Sequence, residues 1–205
     1  MRPHQFDGDV FMDYKTILGI AALVIDIPSY VLYFRDIYFR NTRPHVFSWF
    51  VWSLLTGIAF FAQISKGAGV GAWVTGLTSV LCLLIAVIAL FRGEKIITKV
   101  DWISFVAAFF GIILWVFTDS PLAAVIVVSI VDLLGFVPTF RKSYHRPFQE
   151  SPWPFGLGSL KFGISLFALE SFNLTTALYP ATLVISNGIF VIMLLIRRQR
   201  SINLS

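Results

Sequence analysis

The sequence predicts an all-α polytopic membrane protein: seven transmembrane helices forming two parallel three-helix repeats joined by a linker helix. Three observations predict it. The 205 residues are 57% hydrophobic and only 13% charged, with a mean hydropathy of +0.81, whereas soluble domains are about a quarter charged. The apolar residues fall into seven blocks of membrane-spanning length. Finally, the stretch IDIPSYVLYFR at 25–35 returns as VDLLGFVPTFR at 131–141, bringing a second aspartate to the middle of an apolar block.

The first fifteen residues are mixed in charge and lack both an apolar core and a small-residue cleavage site, so they read as an outer tail and not a signal peptide. Apolar blocks follow at 16–34, 46–65, 70–91, 101–118, 121–140, 153–171 and 177–196. Each is about 18–22 residues long, enough at about 1.5 Å per residue to cross roughly 30 Å of hydrocarbon as a helix. Barrel strands would be half as long and alternate in polarity. The division is an outer tail at 1–15, a first repeat at 16–91, an inner loop and linker helix at 92–119, a second repeat at 120–198 and a cytosolic tail at 199–205.

Cations set the orientation. Arg35, Arg40 and Arg43 follow the first block, Arg92, Lys95 and Lys99 the third, Arg141, Lys142 and Arg146 the fifth, and Arg197, Arg198 and Arg200 the seventh, leaving Arg2, Lys15 and Lys66 opposite. By the positive-inside rule the amino terminus is outside and the carboxyl terminus in the cytosol, with a bacterial inner membrane as the expected host. The same distribution gives the basic pI near 9.6 a membrane meaning and excludes nucleic acid as partner. The single cysteine, Cys82, lies inside a block and allows no disulfide framework. Asn173 and Thr175 form a glycosylation sequon on the outer side, relevant only in a eukaryotic host.

The repeat extends beyond its opening stretch. At one spacing of 106 residues Asp26 meets Asp132, Arg35 meets Arg141, Tyr38 meets Tyr144, Gly57 meets Gly163, Ser65 meets Ser171 and Arg92 meets Arg198. An odd number of helices per unit followed by one linker helix sets both units the same way up, related by an axis along the membrane normal.

This plan, with Pro28 and Pro138 in the first helix of each unit and a basic loop after it, resembles the SWEET and PQ-loop superfamily of small-solute transporters. Pro138 and Thr139 stand where that group carries its proline-glutamine pair, and Tyr33 and Leu32 hold the equivalent places in the first unit. The resemblance implies a pocket asparagine in the third helix of each unit. Asn187 fits in the second; Leu81 stands opposite it in the first, with Thr78 and Ser79 the nearest polar groups. A related group of nicotinamide riboside-type transporters shares the plan and often shows a W-x-x-W pair, matched by Trp49 and Trp52.

The chemistry concentrates on three charges. Asp26 lies nine residues before Arg35, about 13 Å deeper and near the midplane. A bare carboxylate there costs several kcal/mol, so it must be protonated, paired or facing water. It serves either proton coupling or substrate-amine binding, or else it is a neutral group capping backbone loosened by Pro28. Lys161, the one lysine inside a block, reaches a similar depth in the sixth block. The expectation is a buried Asp132–Lys161 pair, with Asp26 left to titrate; the alternative is a lysine lining a wet cavity alone. Trp52 with Asn187 would give a pocket one ring face and one amide. Pro28 and Pro138 each remove a backbone donor and mark kinks. Trp73, Trp102 and Trp153 belong to interfacial belts, and Glu170 to the solvated outer surface.

No enzyme is indicated. His4, His45 and His145 have no helically spaced co-ligand, and no phosphate loop, nucleophile elbow or dinucleotide fingerprint occurs. No cofactor is expected. The partners are membrane lipid and a small-molecule substrate, and a monomer suffices for the pathway, without excluding a homo-oligomer. Two readings remain: a transporter moving a sugar, amino acid or nucleoside-like solute by alternating access, coupled to protons through the aspartates, or a non-transporting receptor or sorting protein of the same fold.

Overall fold

The structure, a computed structural model, describes residues 13–40, 46–93, 120–145 and 147–202, with isolated positions among 42–44 and 99–117, and without the side chains at 47, 137, 138, 141, 142, 149 and 202. In hydrocarbon the backbone must satisfy its own hydrogen bonds, which leaves helices or closed barrels. The chain takes the helical solution, with no strand among the described residues.

In chain order the elements are α1 (Tyr14–Tyr38), α2 (Val46–Ser65), a 3-10 turn (Gly69–Ala72), α3 (Trp73–Arg92), α4 (Pro121–His145), a 3-10 turn (Pro147–Gln149), α5 (Trp153–Ala168) and α6 (Leu174–Ile202). The linker block lies largely outside the described residues, as do His4, His45, Arg2, Arg43, Lys95, Arg146 and Trp115; positions 102, 103, 106, 107, 109, 110, 113 and 117 within that block are helical. Among the described residues four segments, Tyr14–Tyr38, Ser48–Ser65, Gly69–Arg92 and Leu174–Ser201, are long and apolar enough to cross a membrane.

Several helices outrun their apolar blocks. α1 and α6 run past their blocks at both ends, by a turn or more at the C-terminal end of each, because a helix continues past the hydrocarbon wherever its backbone stays paired. α5 is shorter than its block: Leu169 turns to extended backbone at ψ 124°, so 16 residues cover about 24 Å. α1 runs unbroken through Pro28 and α6 through Pro180. α4 likewise keeps helical backbone through position 138, whose side chain is not described.

The helices do not pack in chain order. α1 lies on α3 and α5; α4 lies on α6 and α2; α2 pairs with α3 and α5 with α6. Around this ring the core is built mainly from small and branched residues, among them Ala22, Leu55, Ala59, Ala124 and Val128, with the aromatic rings of Phe162 and Tyr179. The outward faces are apolar too: Val24, Phe91, Leu134, Phe167 and Ile192 are exposed, as the surface of an integral membrane protein must be to meet acyl chains.

The two ends differ. At one, arginines close the helix termini: Arg92 donates to the Tyr38 carbonyl and lies over its ring, and Arg197 does the same to Tyr144. Arg198 donates to the carbonyls of Pro147 and Glu150. At the other end the turn after α2 clasps the turn after α5, with the amides of Glu170 and Ser171 donating to the carbonyls of Ala68 and Gly67. Glycine is required here: a Cβ on Gly71 would come within 2.7 Å of the Leu169 backbone nitrogen, and Gly69 holds φ +57° beneath the Glu170 carboxylate. Glu170 is therefore part of the clasp as well as exposed, its Oε1 accepting from the Val70 amide at 3.4 Å.

Candidate functional site

Buried polar residues gather where α1, α3 and α5 meet. Asp26 projects from α1 on the face that packs against α5, and Lys161 projects from α5 toward it; their side chains are 0% and 3% exposed. Lys161 Nζ donates to Asp26 Oδ1 and, at 2.8 Å, to Thr78 Oγ1 on α3. The hydroxyl proton of Thr78 is given to the Val74 carbonyl one turn earlier, at 2.7 Å, so its lone pair is free for the ammonium. The rings of Phe162 and Tyr30 lie 4.9 and 5.0 Å from Nζ, within cation–π range. The Tyr30 hydroxyl in turn meets Cys82 Sγ at 3.7 Å. The ammonium is thus held by a carboxylate, a hydroxyl and two ring faces.

This overturns the expected Asp132–Lys161 pair. The expectation matched Lys161 with the aspartate of the same predicted repeat, but the packing order sets α5 against α1, so the lysine meets the aspartate of α1 instead. Asp26, expected to stand alone, is the paired acid. Asp132 takes the opposite role. It is 1% exposed on α4; Oδ1 receives one long contact, 3.5 Å from the Tyr179 hydroxyl on α6, and Oδ2 has no hydrogen-bond partner. An unpaired carboxylate so placed is costly by several kcal/mol unless it takes up a proton or a cation.

The remaining candidates lie around a neighbouring aromatic cluster. Trp52 meets Trp49 edge-on at 5.2 Å and Phe136 at 6.1 Å; Phe136 also meets Phe155 and Phe190. Asn187, one turn before Phe190, donates its amide to the Leu183 carbonyl at 2.7 Å and faces Gly158. Trp52 and Asn187 therefore flank one cluster from two helices. Ser79 is tied into a reciprocal pair with Ser53, each hydroxyl donating to the other's carbonyl. Thr78 belongs to the lysine and not to this cluster. Among the described residues no group of three or more His, Cys, Asp or Glu is arranged to hold a metal.

Two polar features escaped sequence reasoning. Tyr179 reads as an ordinary core aromatic until its hydroxyl is seen beside Asp132. Gln63, 0% exposed, donates Nε2 to the Thr176 carbonyl at 2.9 Å, the carbonyl left without its helical donor by Pro180 four residues on. A proline inside the last apolar block was the signal for it. Asn173 of the sequon acts as the α6 cap, its Oδ1 accepting from the Thr176 amide at 3.2 Å.

Compared with family models, curated proteins and solved structures, the chain matches none.

Proposed function

We propose that the protein is a membrane transporter of SWEET/PQ-loop type, moving a small polar solute such as a sugar, amino acid or nucleoside by alternating access between two parallel three-helix halves. The observation that carries this reading is the packing order. Exchanging α1, α2 and α3 for α4, α5 and α6 leaves the set of helix contacts unchanged: α1 on α3 and α5 becomes α4 on α6 and α2. The terminal arginines support it in detail, since Arg92 on Tyr38 and Arg197 on Tyr144 are the same contact made twice. They also refine the register. The first two helices of each half correspond at 106 residues and the third at 105, which pairs Arg92 with Arg197 and sets Asn187 opposite Cys82 instead of Leu81.

In this reading the buried polar groups line the seam between halves, where a solute must pass, and the outer clasp of 67–68 on 170–171 closes one side. The amino terminus is outside, the arginine end faces the cytosol, and the host is a bacterial inner membrane. Proton coupling falls to Asp132, the acid without a cation, while the Asp26–Lys161 pair joins the halves.

The test is uptake into proteoliposomes of sugars, amino acids and nucleosides that stabilise the purified protein, measured across pH. Accumulation that depends on a pH gradient in the wild type and loses that dependence in Asp132→Asn is expected. Ligand-induced stabilisation without flux would replace the transporter with the receptor.

A further inference from the structure

The pseudo-symmetry of the proposed halves makes Lys161 an internal template for a ligand. In the α1–α5 contact its ammonium is held by Asp26, the Thr78 hydroxyl and the Tyr30 ring. The corresponding α4–α2 contact keeps the holding groups: Asp132 for Asp26, Phe136 for Tyr30, and the Tyr179 hydroxyl of α6 one turn from the place of Thr78. It lacks the ammonium, because Leu55 stands in the position of Lys161. A leucine side chain in a lysine's place omits the terminal methylene and ammonium, and that missing fragment is methylammonium.

Asp132 has the marks of the vacated half of such a pair. It is buried to 1% exposure and Oδ2 has no hydrogen-bond partner, whereas Asp26 has its lysine. The helix facing it supplies no charge, since α2 contains no Asp, Glu, Lys or Arg. From α6 the titratable group facing it is Tyr179, and on its own helix Ser129 spends its proton on the Val125 carbonyl. The Pro147–Gln149 turn adds no charge. Among the described residues, the ion pair nearest in kind is Asp26–Lys161, which is complete.

We propose that Asp132, Tyr179 and Phe136 form a seat for the primary ammonium group of the transported solute, so that the substrate class is a small amine or amino acid. This rests on the two-half reading above and deepens it. The carboxylate accepts the N–H groups, the phenol oxygen takes a second N–H, and the Phe136 ring, by its correspondence with Tyr30, takes the place that Tyr30 has beside Lys161. Loading exchanges one monocation for one proton: the protonated Asp132 releases its proton to solvent as the ammonium arrives, and the seat carries no net charge in either form.

The experiment uses the purified full-length protein and methylammonium chloride as probe, at constant ionic strength in choline. A saturable rise in Tm is expected, on the order of 5 °C at a hundredfold excess over Kd, larger at pH 8 than at pH 5. Asp132→Asn should abolish it. Leu55→Lys should abolish it too by supplying an internal ammonium; where that variant does not fold, Asp132→Asn decides alone. Tetramethylammonium, having no N–H, should have no effect. No shift with methylammonium, an equal shift in Asp132→Asn, or an equal shift with sodium would each overturn the seat. Binding without uptake of any amine would refute transport and leave the seat standing; uptake of neutral sugars indifferent to methylammonium would do the reverse.

Discussion

Replacing Lys161 with methionine tests the central geometry. The substitution keeps the length and apolar stem of the side chain and removes the ammonium that holds Asp26 Oδ1 and Thr78 Oγ1. Removing one partner of a buried pair is destabilising by about 3–5 kcal/mol, because the other charge stays behind unpaired. For a chain of this size that corresponds to a Tm lower by roughly 6–20 °C. Adding Asp26→Leu to Lys161→Met removes the second charge, and the double variant should recover most of the loss, since apolar replacement of a whole buried pair is often neutral or better. The assay is a double-mutant cycle read by thermal unfolding in detergent; with each single variant losing about 3–5 kcal/mol and the double losing little, the coupling should exceed about 5 kcal/mol, above the usual range for residues in contact. A parallel cycle joining Lys161→Met to Asp132→Asn should give a clearly smaller coupling. A single-variant loss below about 1 kcal/mol, the scale of an exposed pair, or stronger coupling to Asp132 than to Asp26, would refute the assignment of partners.

Two further substitutions probe the scaffold. Gln63→Leu leaves the Thr176 carbonyl buried and unsatisfied and should be destabilising by about 1–3 kcal/mol; Pro180→Ala in the same chain restores the helical donor, so the pair should be milder than Gln63→Leu alone, as thermal unfolding will report. Gly71→Ala brings a Cβ to 2.7 Å from the Leu169 backbone, which no side-chain rotation relieves. It should lower stability by about 1–3 kcal/mol and raise the maleimide labelling rate of a cysteine placed at Ala68.

Sequence reasoning read the membrane class from composition and the helices from block length, because both depend only on residues near in the chain. Rise per residue set Asp26, Asp132 and Lys161 well inside their apolar blocks, and all three are buried within the helix packing. The partner of Lys161 did not follow. Lateral order is decided by which helix faces fit, and nothing local announces that α1 lies on α5 and not beside α2. In the proposed two-half reading, the change of register in the third helix was hidden for a different reason: Arg197 and Arg198 are adjacent, so either spacing scores a match with Arg92, and only the carbonyl that each arginine caps separates them. Gln63 was overlooked because its purpose is set by Pro180, 117 positions away in the chain.

That glutamine has a mechanical consequence. α6 is mended at its proline by a side chain borrowed from α2, so its straightness is conditional on where α2 stands. Drawing the two helices apart removes the donor and exposes the Thr176 carbonyl, three residues before Tyr179 reaches toward Asp132. In the proposed transporter, the first turns of α6 would then bend as the seam opens and straighten as it closes, tying the posture of one helix to the separation of the halves and carrying that information to the buried acid.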